Sequence, residues 1–116
     1  MEFGEAIRKC LSNYATVQGR ASRSEYWYFF LFVFLVSIAA NVIDGAIGTE
    51  VLGILVGLAL LLPGIAVAVR RLHDRDKSGW WYLLVFLPLI GAIILLVWFV
   101  QRGTAGSNRF GPDPLQ

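Results

Sequence analysis

Two short basic clusters hold most of the side chains that could do chemistry in this sequence. One reads Gly19-Arg20-Ala21-Ser22-Arg23-Ser24-Glu25-Tyr26-Trp27, the other Arg70-Arg71-Leu72-His73-Asp74-Arg75-Asp76-Lys77-Ser78-Gly79-Trp80. Guanidinium forks grip phosphates and carboxylates in pairs, so Arg20, Arg23, Arg70, Arg71 and His73 suit a pocket for a phosphate-bearing lipid or an acidic partner segment. Glu25 is the acid of the first cluster, and an ion pair from it to Arg70 or Arg71 would lock the clusters together. Arg70 and Asp74 are spaced to pair on one helix face, with His73 beside Asp74. His73 and Asp74 also have the form of an oriented general base, which would serve hydrolysis or transfer at a lipid headgroup. The chain carries no G-x-S-x-G elbow, P-loop, G-x-G-x-x-G turn or H-E-x-x-H helix, so the expectation is a protein that is not an enzyme, without catalytic residues. A single histidine, His73, and a single cysteine, Cys10, are too few soft ligands for zinc and close no intrachain disulfide; no metal or cofactor is expected.

The elements that carry these clusters follow from composition. Of 116 residues, 57% are hydrophobic and 16% charged, a mixture foreign to a small soluble domain and far too apolar for disorder. Residues 26–43, 51–69 and 80–100 are three apolar stretches without an ionisable acid or base. At 1.5 Å per residue the first covers about 27 Å, close to the hydrocarbon thickness of a bilayer. In hydrocarbon the backbone must satisfy itself, and so short a chain closes no barrel, which leaves helices. The expected fold is an all-α integral membrane protein, one domain over residues 1–116, with three transmembrane helices. Pro88 and Gly91 interrupt the third, either kinking a span or turning it into a re-entrant hairpin.

Orientation follows from the cations flanking the stretches. Arg8, Lys9, Arg20 and Arg23 precede the first; the 44–50 loop has none; Arg70, Arg71, Arg75 and Lys77 lie between the second and third; Arg102 and Arg109 lie in the 101–116 tail. With the N-terminus cytoplasmic and three full spans, eight fall inside and two outside, so the tail pulls against its own placement. Within that tail, the Gly- and Pro-rich residues 103–114 read as ordered turns or a loose end, and residues 108–114 would either fold onto the domain or present a short recognition loop. Tyr26, Trp27 and Tyr28, then Trp80, Trp81 and Tyr82, mark the borders as interfacial aromatics. Residues 1–18 read as an amphipathic interfacial helix, with Phe3, Ile7, Cys10, Leu11 and Tyr14 at helical spacing; that face would equally pack on the protein. Arginines precede the first apolar run as they do in a signal peptide, but the run continues past Ser37-Ile38-Ala39 to Ile43, so it is expected to be retained.

Gly53, Gly57, Gly64 and Ala68 fall on one stripe of the second stretch, and Ser37, Ala40, Asn41 and Asp44 share a face of the first. These faces are expected to meet, since small residues let membrane helices approach closely; the same stripe would also suit a second copy. Asp44, at the end of its stretch, reads as a cap or border residue rather than part of an ion path.

The two clusters, together with Gly103-Thr104 and Asn108-Arg109-Phe110-Gly111-Pro112-Asp113-Pro114, resemble the bacterial inner-membrane family known as domain of unknown function 805. The resemblance runs over nearly the whole chain. It implies the bacterial inner (plasma) membrane and a compact multi-pass helical domain, and it carries over no catalytic residue. The expected function is a non-catalytic module that uses a cytoplasmic Arg-rich surface of Arg20, Arg23, Glu25, Arg70, Arg71, His73 and Asp74. Its partners would be membrane lipids, anionic phospholipid above all, or a membrane protein, with no nucleic acid. The alternatives are a subunit of an oligomeric transporter or channel and a headgroup enzyme built on His73 and Asp74.

Overall fold

The computed structural model describes residues 2–115 and is all-α. Met1 and Gln116, the ends of the expected 1–18 helix and 101–116 tail, lie outside the described residues. Four α-helices run in order as α1 (Phe3–Ser12), α2 (Arg23–Ile47), α3 (Val51–Asp74) and α4 (Ile90–Val100), with a 3₁₀ helix, Gly79–Phe86, before α4. Both α2 and α3 are long and apolar enough to cross a membrane, whereas α4 is a shorter apolar helix.

Each long helix starts and stops for a local reason. Ser22 caps α2, its hydroxyl accepting the Glu25 amide at 3.3 Å. Gly48 ends α2 in a left-handed conformation, φ 74°, that glycine adopts without strain. Asp44 then reaches forward across the turn, its carboxylate accepting the amides of Leu52 at 3.0 Å and Gly53 at 2.7 Å. These are orphan donors of the first turn of α3, so Asp44 is a cap supplied by the preceding helix.

Inside α3, Pro63 has no N–H to give the Ala59 carbonyl one turn earlier. The Tyr14 hydroxyl donates to that carbonyl instead, which ties the segment after α1 to the middle of α3. Ala6 and Cys10 are buried, Cys10 packing in one cluster with Ala21, Phe29 and Val67, and Phe3 meets Tyr28 edge-on at 5.8 Å. The apolar face of α1 thus packs on the protein. The helix is also shorter than the expected 1–18, because turns begin after Ser12.

The small-residue faces meet at one end only. A Cβ on Gly53 would lie 3.0 Å from the Asn41 side-chain oxygen and 3.4 Å from that of Asp44, so α2 and α3 are close there. A Cβ on Gly57 or Gly64 would touch nothing within 4 Å, and with Ser37 these glycines line an open cleft. Nearer the basic clusters the contact between the two helices is made by larger side chains, Phe29 and Val67 packing in one buried cluster, and not by the glycine stripe. Ala68 faces elsewhere, packing with Leu72, Leu95 and Phe99.

The stretch 80–100 is not one helix. It divides at Leu87, Pro88 and Leu89, where Leu89 has a φ of 67°. Gly91 is buried against the Leu84 backbone so tightly that a Cβ would collide with the Leu84 carbonyl. Only glycine lets α4 fold back on the 3₁₀ helix. The stretch begins with Gly79 against Val69 and His73, and it ends with the Phe99 carbonyl accepting the Trp27 indole N–H at 3.0 Å. Both ends therefore lie at the basic end of the α2–α3 pair, opposite Asp44.

Candidate functional site

At that basic end, the start of α2, the end of α3, the end of α4 and the tail converge on a buried ionic network. The backbone sets the frame, with the Ala21 amide donating to the Arg70 carbonyl at 2.9 Å and the Thr104 amide to the Asp74 carbonyl at 2.6 Å. Gly103 is required beside this second contact, because a Cβ there would collide with the Asp74 carboxylate.

Asp74 joins two guanidinium groups. Its Oδ2 accepts from Arg71 Nη1 at 2.6 Å, and its Oδ1 accepts from Arg20 Nε at 3.0 Å and Nη2 at 2.9 Å. The remaining donors of Arg20 go to backbone carbonyls of the tail: Nη1 to Gly106 at 2.6 Å and Gly111 at 3.2 Å, and Nη2 to Thr104 at 2.5 Å. Arg71 donates its Nε to the Phe99 carbonyl at 3.1 Å and its Nη2 to the Gln101 carbonyl. Each fork is spent on acceptors in three directions, a geometry that an ammonium group cannot reproduce.

A second pair lies toward α1. Arg70 Nη1 donates to Glu25 Oε2 at 2.6 Å, while Lys9 Nζ stands 3.5 Å from Glu25 Oε1. The Cys10 thiol donates to Glu25 Oε2 at 3.4 Å, and burial first, then the Glu25 charge, pushes it up to about 12, so it stays a protonated donor. Arg70 Nε and Nη2 are buried without a hydrogen-bond partner among the described residues, so Arg70 is less fully satisfied than Arg20 or Arg71.

Of the two pairings expected for Glu25, the one formed is with Arg70. The expected Arg70–Asp74 pair is replaced by Arg71–Asp74, three residues apart, because Arg70 turns toward α1 and α2. His73 does not pair with Asp74. Its Nδ1 lies 2.8 Å from the Gly19 carbonyl, and its ring stacks on Phe110 at 4.0 Å and 1°. With Asp74 held by two arginines and His73 Nδ1 on the Gly19 carbonyl, the His73–Asp74 contact that the alternative of a headgroup enzyme requires is not formed.

Among the described residues, Arg20, Arg70, Arg71 and His73 are buried and do not form an open surface with Arg23. Glu25 and Arg71 are 0% exposed and Arg70 2%; the chain's own carboxylate and carbonyls take up Arg20 and Arg71, while Arg70 is closed off from outside with only its Nη1 engaged, by Glu25. Arg23 alone among these arginines faces outward, one Nη resting 3.3 Å from the Val100 carbonyl. Removing one partner of such a buried pair costs about 3–5 kcal/mol, so each inward arginine is bound into the fold by the groups it meets.

The tail is part of the site. Asn108 Nδ2 donates to the His73 carbonyl at 2.8 Å, and its Oδ1 accepts the Phe110 amide at 2.9 Å. The Gly106 and Leu115 amides donate to Asp113, which holds its carboxyl below the usual range. Of the two roles open to residues 108–114, folding onto the domain is the one the hydrogen bonds of Asn108 show, but composition alone does not say which side chains do it. Asn108, Phe110 and Asp113 stand in the third motif of the family resemblance, and that is the signal for them.

A buried ionic clasp over apolar helices, closed by a short wrapped tail, is the architecture into which all three motifs are built. The chain belongs to the family described as "Protein of unknown function (DUF805)", whose model matches residues 14–112. It is 51% identical over 106 residues to the inner membrane protein YhaI of Escherichia coli strain K12, covering 90% of each chain. It is also 43% identical over 112 residues to the inner membrane protein YhaH of the same strain, covering 91% of this chain and 93% of YhaH. No solved structure matches it.

Proposed function

We propose that this chain is a non-catalytic lipid-binding module of the inner membrane, anchored by two full spans, α2 and α3. The third apolar stretch enters and leaves on the cytoplasmic side as a re-entrant hairpin, and both chain ends are cytoplasmic. One observation carries this reading. The carbonyls of Phe99, Val100 and Gln101 are held by Trp27, Arg23 and Arg71, so the tail returns to the end where the other basic segments lie. All ten Lys and Arg residues then fall on one side and none in the 44–50 loop. This removes the tension of a tail whose arginines oppose its placement, in accord with the cytoplasmic excess of cations in membrane proteins.

The arginines divide between two tasks. Arg20, Arg70 and Arg71 build the clasp, while Arg8, Arg23, Arg102 and Arg109 are exposed and meet anionic headgroups, each contributing roughly 1 kcal/mol near a charged leaflet. Cysteine labelling in intact spheroplasts tests the topology. A cysteine in the 44–50 loop should react with an impermeant reagent from outside and one at residue 107 should not; equal labelling would refute it. Mass spectrometry of lipid retained in nanodiscs should show anionic phospholipid enriched over the bulk membrane, and unchanged composition would refute lipid binding.

A further inference from the structure

Two clefts open sideways on the helical surface, on either side of a ridge formed by Tyr26, Phe30 and Tyr82. The first, about 320 Å³, lies between α2 and α3, floored by Gly57 and Gly64 and ending at Ser37. The second, about 230 Å³, lies between α2, the 3₁₀ helix and α4, walled by Trp27, Val85 and Leu96. On α2, positions 23, 26, 30, 33 and 37 recur every three or four residues, so Arg23 shares the face that the clefts run along and stands about one turn before Tyr26, which lines both. One Nη of Arg23 donates to the Val100 carbonyl, and Val100 follows Phe99, which lines the second cleft.

From these features we infer that the two clefts hold the acyl chains of one anionic phospholipid of the cytoplasmic leaflet, with its phosphate on Arg23. The inference rests on the topology and lipid binding proposed above and gives them a defined site. Tyr26 to Ser37 spans roughly 16 Å along α2, about half of a ~30 Å hydrocarbon core and so the depth of one leaflet. The cleft walls are apolar, and Phe30, Leu61 and Leu96 at their rims are exposed. Arg23 is an outward guanidinium at the level where a phosphate would stand. A single lipid satisfies the twin clefts, the leaflet depth and the cation together. The apolar faces of a second copy offer no acid between residues 26 and 43 or 51 and 69 to meet Arg23.

The test is native mass spectrometry of the full chain in detergent, titrated with phosphatidylglycerol and, separately, with phosphatidylcholine. The wild type should retain one phosphatidylglycerol per chain in preference to phosphatidylcholine. The double variant Gly57→Leu with Gly64→Leu should fold, since added side chains there enter open space and leucine favours helix, and its melting temperature checks this. It should bind phosphatidylglycerol about tenfold more weakly, and Arg23→Gln about fivefold, with loss of headgroup preference. A folded double variant that binds as the wild type does would overturn the clefts, and an unaffected Arg23→Gln would overturn the phosphate contact. A dimer abolished by the same glycine substitutions would overturn the lipid in favour of a second copy. Indifference of the wild type to phosphatidylglycerol would instead bring down the broader lipid reading.

Discussion

Replacing Arg71 by lysine keeps the charge and removes the geometry. The introduced ammonium would still reach Asp74, but the donors now given to the carbonyls of Phe99 and Gln101 would vanish. Hydrogen bonds from a charged donor contribute about 1.5–3 kcal/mol each. The Phe99 carbonyl keeps the Trp27 indole at 3.0 Å and Gln101 is exposed, so neither acceptor is stranded and the lower figure applies to both. The expected loss is therefore about 3 kcal/mol. Equilibrium unfolding in mixed micelles measures it, and limited proteolysis between residues 103 and 112 reports release of the tail. Arg109→Lys serves as the comparison. Its pair with Asp76 stands at 3.3 Å with the arginine side chain 60% exposed, and a change of at most about 0.5 kcal/mol is expected. If Arg71→Lys were as stable as Arg109→Lys, with an equally resistant tail, the claim that the fork's shape closes the site would be wrong.

Glu25→Gln and Arg70→Gln should each cost about 3 kcal/mol, because each leaves a buried charge behind, and the double variant should cost at least about 1 kcal/mol less than their sum; a strictly additive cycle would deny the pair. Gly91→Ala should destabilise the fold by about 3 kcal/mol and open the tail to protease, since its methyl group would meet the Leu84 carbonyl; wild-type resistance would deny the fold-back. The Asp113 carboxyl is held below its ordinary value in the folded tail, so its contribution is complete above the unfolded value of about 4 and is lost as pH falls through the folded one. Protection of the Gly106 and Leu115 amides, taken relative to the intrinsic exchange rate at each pH, should fall at acid pH in the wild type and be low at every pH in Asp113→Ala; protection that does not change with pH would deny the carboxylate's role.

The elements were legible because hydropathy and capping are local. Residues 26–43 and 51–69 lie within α2 and α3, Asp44 is the cap its position implied, and Pro88 with Gly91 mark the break in the third stretch. The pairing of Glu25 with Arg70 was legible because Glu25 was the one acid in a cluster of arginines. What the sequence concealed is where the other guanidiniums point. Arg20 and Arg71 are held by the carbonyls of Phe99, Gln101, Thr104, Gly106 and Gly111, and a backbone acceptor leaves no trace in residue type. Glycine spacing misled for a related reason. Gly53, Gly57 and Gly64 share a stripe, but whether a neighbour meets each glycine depends on which side chains make the contact between the helices, and farther along those are Phe29 and Val67.

Arg20 is translated long before its partners. Asp74 follows it by 54 residues, Thr104 by 84 and Gly111 by 91. At roughly 5–20 residues per second, the ribosome needs on the order of 5–20 s to supply the last of them. Until Asp74 has been made, the leading arginine of the first helix has no protein carboxylate to meet and must stay hydrated, which favours the connector at the water boundary over lipid. Closure comes only as synthesis finishes, so a chain halted before residue 104 differs from a complete one by an arginine held on its carboxylate alone, without the three carbonyls of the tail.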